Sequence, residues 1–317
     1  MPDPVGTTAA GLVQRVLDRV VGRHREIELL VAALAADRHV LIEGPPGTGK
    51  STLLRAVAHE LGLGFEFVEG NAELTPARLV GHFDPARVLA EGYSPEVFVD
   101  GPLVTAMRDG ALLYVEEINR VPEETLNVLI TVMSERELHV PRLGRIAAAP
   151  GFRLVAAMNP FDAIGTARIS GAVYDRVCRL AVEYQDAADE QSIVRRQVVD
   201  GESLDGQWTA GVVEVVRRTR SHVDVRIGSS VRGAIDTAAV SRSLAAMRGA
   251  SPTDLGVGLD AALVALSGRL RLREGCTRRA EDIVVEIWRE VFPETPPSAN
   301  GGDQGKVPTP AGATDPR

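Results

Sequence analysis

Apolar positions along the chain follow two periods. Val40, Leu41 and Ile42 form a short unbroken apolar run, as do Leu112, Leu113, Tyr114 and Val115. Such runs read as strands buried on both faces of a parallel sheet. The stretches Phe65–Glu69, Arg153–Ala157 and Cys178–Val182 read as further strands. Between these runs the apolar spacing lengthens to three and four. Leu12, Val16 and Val20 share one helical stripe. After a break at Gly22-Arg23-His24, Ile27, Leu30, Val31 and Leu34 share a second. Leu54, Val57 and Leu61 predict a helix over 52–61, and Leu126, Leu129, Ile130 and Met133 predict one over 123–135. A further helix is expected to end over 172–176. Strands alternating with helices predict an α/β fold, a parallel sheet flanked by helices.

Two stretches break this rhythm. Residues 70–105 carry Thr75-Pro76, Gly81, Asp84-Pro85, Gly92, Ser94-Pro95 and Gly101-Pro102 with little periodicity, and read as an insertion of loops with short helical or hairpin pieces. Residues 137–150 suit a hairpin with Gly144 near its tip. From Gln185 no strand-like alternation remains. Helical spacing covers 188–200, 209–219, 229–248, 254–273 and 279–291, predicting a small all-helical second domain. The expected division is a flexible N-terminus at 1–10, an α/β nucleotide-binding domain at 11–184, a helical lid at 185–292 and a disordered tail at 293–317. The tail is rich in Pro, Gly, Thr and Ala. A length of 317 residues suits two domains.

The chemistry starts where the first apolar run ends. Gly44-Pro45-Pro46-Gly47-Thr48-Gly49-Lys50-Ser51 fits the spacing G-x-x-x-x-G-K-[ST], and Thr52 opens a helix. The glycines let the backbone curl so that its N–H groups face phosphate oxygens. The helix behind adds partial positive charge. Lys50 is placed to reach the β- and γ-phosphates, and the Ser51 hydroxyl to ligate Mg²⁺.

Glu116 and Glu117 close a later apolar run, where P-loop enzymes keep an acidic residue for the metal shell. A second carboxylate there can polarise a water. An acidic pair also caps helices, so the residues alone leave both readings. Asn159 ends the next run and could orient water, although Asn-Pro is also a common turn. Asp175 beside Arg176 could be a local ion pair, and Arg232 a solvated helix residue.

Together, the P-loop, then Glu116-Glu117-Ile118-Asn119-Arg120, then Met158-Asn159-Pro160, then Asp175-Arg176-Val177 resemble an AAA+ ATPase. More closely they resemble the MoxR family, whose mark is a D-E-I-N-R stretch. Gly101-Pro102-Leu103 and Val21-Gly22-Arg23 are similar to the family as well, and the resemblance covers about residues 15–292. The CbbQ/NirQ and gas-vesicle GvpN relatives are also similar. The resemblance implies an AAA+ P-loop core with a helical lid, an ATP and Mg²⁺ requirement, and roles for particular residues. Gly44 to Ser51 is Walker A, and Val21 and Gly22 cover the adenine. Glu116 is the metal-shell residue with Ser51, and Glu117 is the water-activating base. Asn159 is sensor 1 and Arg232 sensor 2. Arg176 is the arginine finger that reaches a neighbouring subunit's γ-phosphate, with Arg168 and Arg179 as competitors. Arg120 senses nucleotide or faces a neighbour. The insertion at 70–105 corresponds to the helix-2 insert and 137–150 to the pre-sensor-1 hairpin. A trans arginine implies a ring, here a hexamer. Family members act as chaperone-like remodellers and often work with a von Willebrand factor A-domain protein. This chain departs from the family at Glu116, where Asp is usual. The extra methylene moves the carboxylate by about 1.5 Å. That departure motivates a second reading, a nucleotide-binding structural or regulatory subunit with little turnover.

Composition narrows the partners. The net charge of −8 argues against a general nucleic-acid surface. No Asn-Lys-x-Asp guanine signature and no helix-turn-helix extension is found. The two cysteines, Cys178 and Cys276, form no metal-ligand spacing and are expected to be reduced thiols of a cytoplasmic protein. No basic-then-apolar leader is read at the N-terminus, and no run reaches the ~20 apolar residues of a membrane span.

Overall fold

The structure, a computed structural model, describes residues 9–160, 169–198 and 205–293. Most of residues 1–10 and nearly all of the expected tail therefore lie outside the described residues. Helices α1 (Ala9–Arg19) and α2 (His24–Ala35) precede strand β1 (His39–Glu43), helix α3 (Lys50–Leu61) and strand β2 (Phe65–Glu69). The insertion follows as α4 (Pro76–Val80), β3 (Gly81–Phe83), α5 (Pro85–Glu91) and β4 (Phe98–Asp100), and leads into α6 (Pro102–Asp109). Then come β5 (Leu112–Glu116), α7 (Glu123–Glu135), the hairpin β6 (Glu137–Val140) and β7 (Gly144–Ala147), β8 (Arg153–Met158), α8 (Gly171–Tyr174) and β9 (Val177–Ala181).

Five strands form one parallel sheet in the order β2-β5-β8-β1-β9. Successive side chains of each strand go to opposite faces. Val40, Ile42, Leu112, Tyr114, Val155 and Ala157 pack under α1, α2 and α3. Leu41, Leu113, Val115, Leu154 and Ala156 pack against α6 and α7 on the other face. Burial on both faces is why these strands read as unbroken apolar runs. The register aligns the carboxyl ends: Glu43 pairs with Met158, Val115 with Ala156, and Glu69 with Glu116. The P-loop, the acidic pair and Asn159 thus leave the sheet along one edge, where open α/β sheets bind ligands.

The insertion is a short antiparallel pair, with Gly81 opposite Asp100, around α5. Asp84 caps α5 through the N–H groups of Ala86 and Arg87, yet none of its residues is buried. Its packing comes from Phe83, Tyr93 and Phe98, with the Arg142 guanidinium of the β6–β7 turn 3.8 Å above the Tyr93 ring.

Beyond residue 184, α9 (Ala187–Gln197), α10 (Gly206–Ser221), α11 (Val231–Arg248), α12 (Leu255–Leu266) and α13 (Ala280–Val291) surround Trp208, Trp288 and a set of small and β-branched side chains. The helical region expected here is present, and the structure adds to it one short strand pair that the all-helical expectation lacked. Strand β10 (Val225–Ile227) pairs antiparallel with β11 (Arg271–Leu272), so the helix expected over 254–273 stops at Leu266. Ser267-Gly268-Arg269 closes it with one 3₁₀ turn. Strands of three and two residues are too short to show a period of two. Among the described residues, no helix is long and apolar enough to cross a membrane.

Candidate nucleotide site

The P-loop leaves β1 with the Gly44 N–H bonded to the Met158 carbonyl at 3.2 Å. Pro45 and Pro46 have no N–H, so the donors left to the loop begin at Gly47. Gly47 and Gly49 have φ of 72° and 80°, the left-handed region that L side chains rarely adopt. Gly47 has a second constraint, because a Cβ there would lie 2.1 Å from the Ser230 hydroxyl of the lid. Lys50, the first residue of α3, is buried and donates to the Gly44 and Pro45 carbonyls, each at 2.9 Å. Burial pushes its ammonium down to about 8, Arg23 and Arg232 push the same way, and Glu116 opposes them. A buried cation among arginines is electrostatically matched to a polyphosphate.

The metal end is assembled within the chain. The Ser51 hydroxyl donates to Glu116 Oε1 at 2.9 Å, and the Tyr114 hydroxyl lies 3.2 Å from the same serine oxygen. Burial, then the Glu116 charge, pushes the Tyr114 phenol up, so it stays protonated. A hydroxyl and a carboxylate are hard oxygen donors of the kind Mg²⁺ takes alongside water and phosphate. The residues therefore fit the metal-nucleotide complex that the fold implies. Among the described residues no cluster of three His, Cys, Asp or Glu side chains could hold a metal alone. Glu117 sits at φ 52°, outside the strand, and pairs with Arg120 at 3.1 Å.

Two cavities flank the loop. One, about 310 Å³, is lined by Val20, Val21, Thr48, Thr52, Ile193 and Arg232 among others, and fits a base and sugar. Gly22, between the lining residues Val21 and Arg23, has φ 66°, and a Cβ there would overlap the Asp189 carboxylate. Arg23 is buried beside it, donating to the Thr48 carbonyl at 2.9 Å and the Glu183 carbonyl at 2.6 Å. The Gln185 amide donates to the Val21 carbonyl. The second cavity, about 480 Å³, brings Asn159 together with Pro45, Pro46, Tyr184, Arg220 and Arg226.

Of the residues singled out in the sequence, Val21, Gly44 to Thr52, Glu116, Asn159 and Arg232 border this groove or its metal end, with Gly22 and Glu117 next to them in the chain. Arg176 does not. It precedes β9, whose Val177 pairs with His39 at the start of β1, whereas the P-loop follows the far end of β1. There its Nε donates to the Ser134 hydroxyl and Nη1 to the Ala172 carbonyl at 2.8 Å. It lines a surface cavity of about 420 Å³ with Asp37, Arg38, Ser134 and Arg136. Arg179 is tied to the buried Glu43 carboxylate, which also accepts from the Tyr174 hydroxyl. Arg168 lies outside the described residues. The sequence reading named Arg23 only within Val21-Gly22-Arg23, and it missed Tyr114 and Gln185. Tyr114 had a signal, since positions i and i+2 of a strand share a face with Glu116.

Residues 39–177 match the AAA domain of the dynein-related subfamily. An uncharacterized protein of Staphylococcus epidermidis is 33% identical over 168 residues, which are 52% of this chain and 63% of that protein. An uncharacterized protein of Staphylococcus aureus is 33% identical over 163 residues, 51% of this chain and 61% of its own. The chain thus spans less than two thirds of the curated relatives it matches. Thermotoga maritima RuvB, a Holliday junction branch migration motor, superposes with a TM-score of 0.54 at 19% identity, over 80% of this chain and 72% of RuvB. Brucella abortus NtrX gives 0.55 at 18% identity, over 75% of this chain and 53% of NtrX. A candidate ATPase of Cytophaga hutchinsonii gives 0.50 at 19%, over 88% of this chain and 93% of that one. At these identities the structural likeness is one of fold. The match over residues 39–177 and the shared architecture agree on the AAA+ P-loop fold, a parallel five-stranded sheet flanked by helices and followed by a helical region.

Proposed function

We propose that this chain is a MoxR-type AAA+ ATPase. It binds ATP with Mg²⁺, hydrolyses it in an oligomeric ring, and uses the cycle to remodel a partner protein. The observation that carries the reading is the Ser51–Glu116 hydrogen bond, with Lys50 and Glu117 next to these two residues in the chain. Ser51 and Glu116 come from distant stretches of sequence, and their hydrogen bond supports a shared role at the metal end.

The roles follow from position. Lys50 and the loop N–H groups hold the phosphates. Ser51 and Glu116 would hold Mg²⁺, which supplies positive charge to the phosphate oxygens. Glu117 accepts the proton of an attacking water as its oxygen bonds to the γ-phosphorus and the bond to the β-phosphate oxygen breaks. It must first let go of Arg120. Asn159 orients that water, and Arg232 brings the lid's charge to the phosphates. Arg176 sits on a surface away from its own site, which suits service to a neighbour's γ-phosphate, so the active form is a ring, in our reading a hexamer. Residues 11–184 and 185–292 act as the two moving units. The partner class we favour is a von Willebrand factor A-domain protein, and we place the protein in the cytoplasm, away from nucleic acid.

A second reading has a specific observation behind it. Glu116 is long enough to reach Ser51 directly, and Glu117 is engaged with Arg120, an arrangement suited to holding nucleotide with little turnover. Steady-state hydrolysis against protein concentration separates the two. The ATPase reading predicts specific activity that rises with concentration and is abolished by Glu117→Gln and by Arg176→Ala, with nucleotide binding retained. Binding without turnover at any concentration would establish the second reading instead.

A further inference from the structure

The family resemblance leaves Glu116 as a departure, and the structure supplies what surrounds it. Tyr114 and Glu116 lie two residues apart on β5, so both side chains rise from the face that α3 covers. The Tyr114 ring is fully buried. It packs beside Phe65 and Phe67 of the neighbouring strand, with ring centroids 6.0 and 5.7 Å away. The Arg55 guanidinium of α3 closes the stack, 4.9 Å from the Phe65 centroid and 5.4 Å from that of Phe67. A ring walled in this way has one place for its hydroxyl, 3.2 Å from Ser51 Oγ. Ser51 has a single proton, and that proton goes to Glu116 Oε1 at 2.9 Å. The serine oxygen must therefore accept from Tyr114.

We propose that Tyr114 is a positioning residue for the metal end of the nucleotide site. Its hydroxyl fixes the Ser51 hydroxyl and the long Glu116 side chain as one unit, and this lets glutamate serve where a shorter carboxylate is usual. The inference rests on the Mg²⁺–ATP reading of the site. Its physical basis is rotamer freedom. Glutamate has one more rotatable bond than aspartate, and ordering it costs conformational entropy that a fixed donor offsets. Ser51 has two lone pairs. With one committed to Tyr114, the other keeps a defined direction for a cation. A tyrosine that only filled the core would affect stability and leave the metal dependence of binding untouched.

The test is a binding cycle on the full chain, read with a fluorescent N-methylanthraniloyl ATP in Mg²⁺ and again in EDTA. Tyr114→Phe keeps the ring and removes one oxygen. It should weaken binding about fivefold in Mg²⁺, the worth of one ordinary hydrogen bond, and leave the EDTA affinity unchanged. In the Glu116→Asp background, where the carboxylate is retracted, Tyr114→Phe should have no further effect on the Mg²⁺-dependent part. Equal losses in both backgrounds, or equal losses in Mg²⁺ and EDTA, would overturn the proposal and leave Tyr114 as a core residue. Glu116→Asp alone gives an independent check, since the proposal requires it to change the Mg²⁺ concentration for half-maximal binding. Failure of the unsubstituted chain to bind the analogue with Mg²⁺ would instead overturn the nucleotide reading itself.

Discussion

The phosphate end and the base end of the groove are held by different means. At the phosphate end, Lys50, Ser51 and Glu116 are set by β1, β5 and α3, whose positions follow from backbone ladders and two packed apolar faces. At the base end the lid is attached by side chains reaching isolated carbonyls: Gln185 to Val21 and Arg196 to Asp18. Many parallel backbone bonds make one rigid frame. A few side-chain bonds between two separately packed cores make a joint that can open and close. Under the proposed function, this difference assigns motion to the lid and chemistry to the sheet.

The largest effect is expected where the rigid end is broken. Lys50→Ala removes the buried cation and its charge-assisted bonds, and should weaken ATP binding by about 10²-fold, as titration calorimetry would register. The fold should survive, since Lys50 bonds only to carbonyls of its own loop. An unchanged affinity would remove the P-loop from the account.

Among the described residues of the lid, one acid is fully buried. Glu190 is 2% exposed and accepts from Arg217 at 3.1 Å and Arg220 at 2.7 Å. Those arginines in turn donate to the Gln185 carbonyl in the linker and the Ser229 carbonyl before α11. Glu190→Ala leaves two partly buried guanidiniums without their acid and should destabilise the lid by about 2–3 kcal/mol. Hydrogen exchange should then speed up in α9, α10 and the start of α11, with the sheet strands unaffected. Equal acceleration in β1 and β5 would contradict the division into a frame and a joint.

Much of the frame was legible in the sequence. Apolar runs bounded by chemistry-bearing residues marked β1, β5 and β8, because strands buried on both faces leave that trace. The insertion was read only as short pieces, since α5 buries no side chain and so carries no apolar stripe. In the lid, β10 and β11 were hidden by their length. The Glu190 cluster was hidden by separation, as its partners lie 27 and 30 residues away. The geometry around Ser51 was half legible: the metal-end residues follow from motifs, and strand alternation puts Tyr114 on the face of Glu116, whereas the contact of its hydroxyl with Ser51 needs β5 laid beside α3. Nothing in local spacing showed that Arg176 sits at the opposite end of the sheet from the chain's own loop.

A smaller effect concerns pH. Lys50 is pushed down to about 8, chiefly by burial. Bound phosphate favours the charged form and raises this value in the complex. ATP affinity should therefore be constant below about pH 8 and fall by up to tenfold per unit above it. Lys50→Arg should flatten the profile, because guanidinium does not titrate there. For the unliganded fold the sign is opposite. The folded state carries the depressed value, so stability rises as pH climbs from about 8 towards the ordinary lysine range.

The smallest effect tests the joint by touch. Gly47→Ala adds a Cβ in a left-handed conformation and against Ser230, at a cost of about 1–2 kcal/mol. Adding Ser230→Ala should recover only the part due to the lid contact, seen as a partial return of nucleotide affinity. Full recovery would mean that the loop itself tolerates alanine, and that the lid contact alone explains the glycine.

The central claim is that the sheet supplies the phosphate and metal half of an ATPase site and that a neighbour's Arg176 completes it. The direct test mixes two inactive proteins. Glu117→Gln lacks the base and keeps the arginine; Arg176→Ala keeps the base and lacks the arginine. If sites are shared, each variant alone is silent and the mixture regains part of the wild-type ATP hydrolysis, because some sites pair an intact Glu117 with an intact Arg176. If Arg176→Ala alone hydrolyses ATP at the wild-type rate, or the mixture of two silent variants stays silent while wild type is active, the shared-site account is wrong.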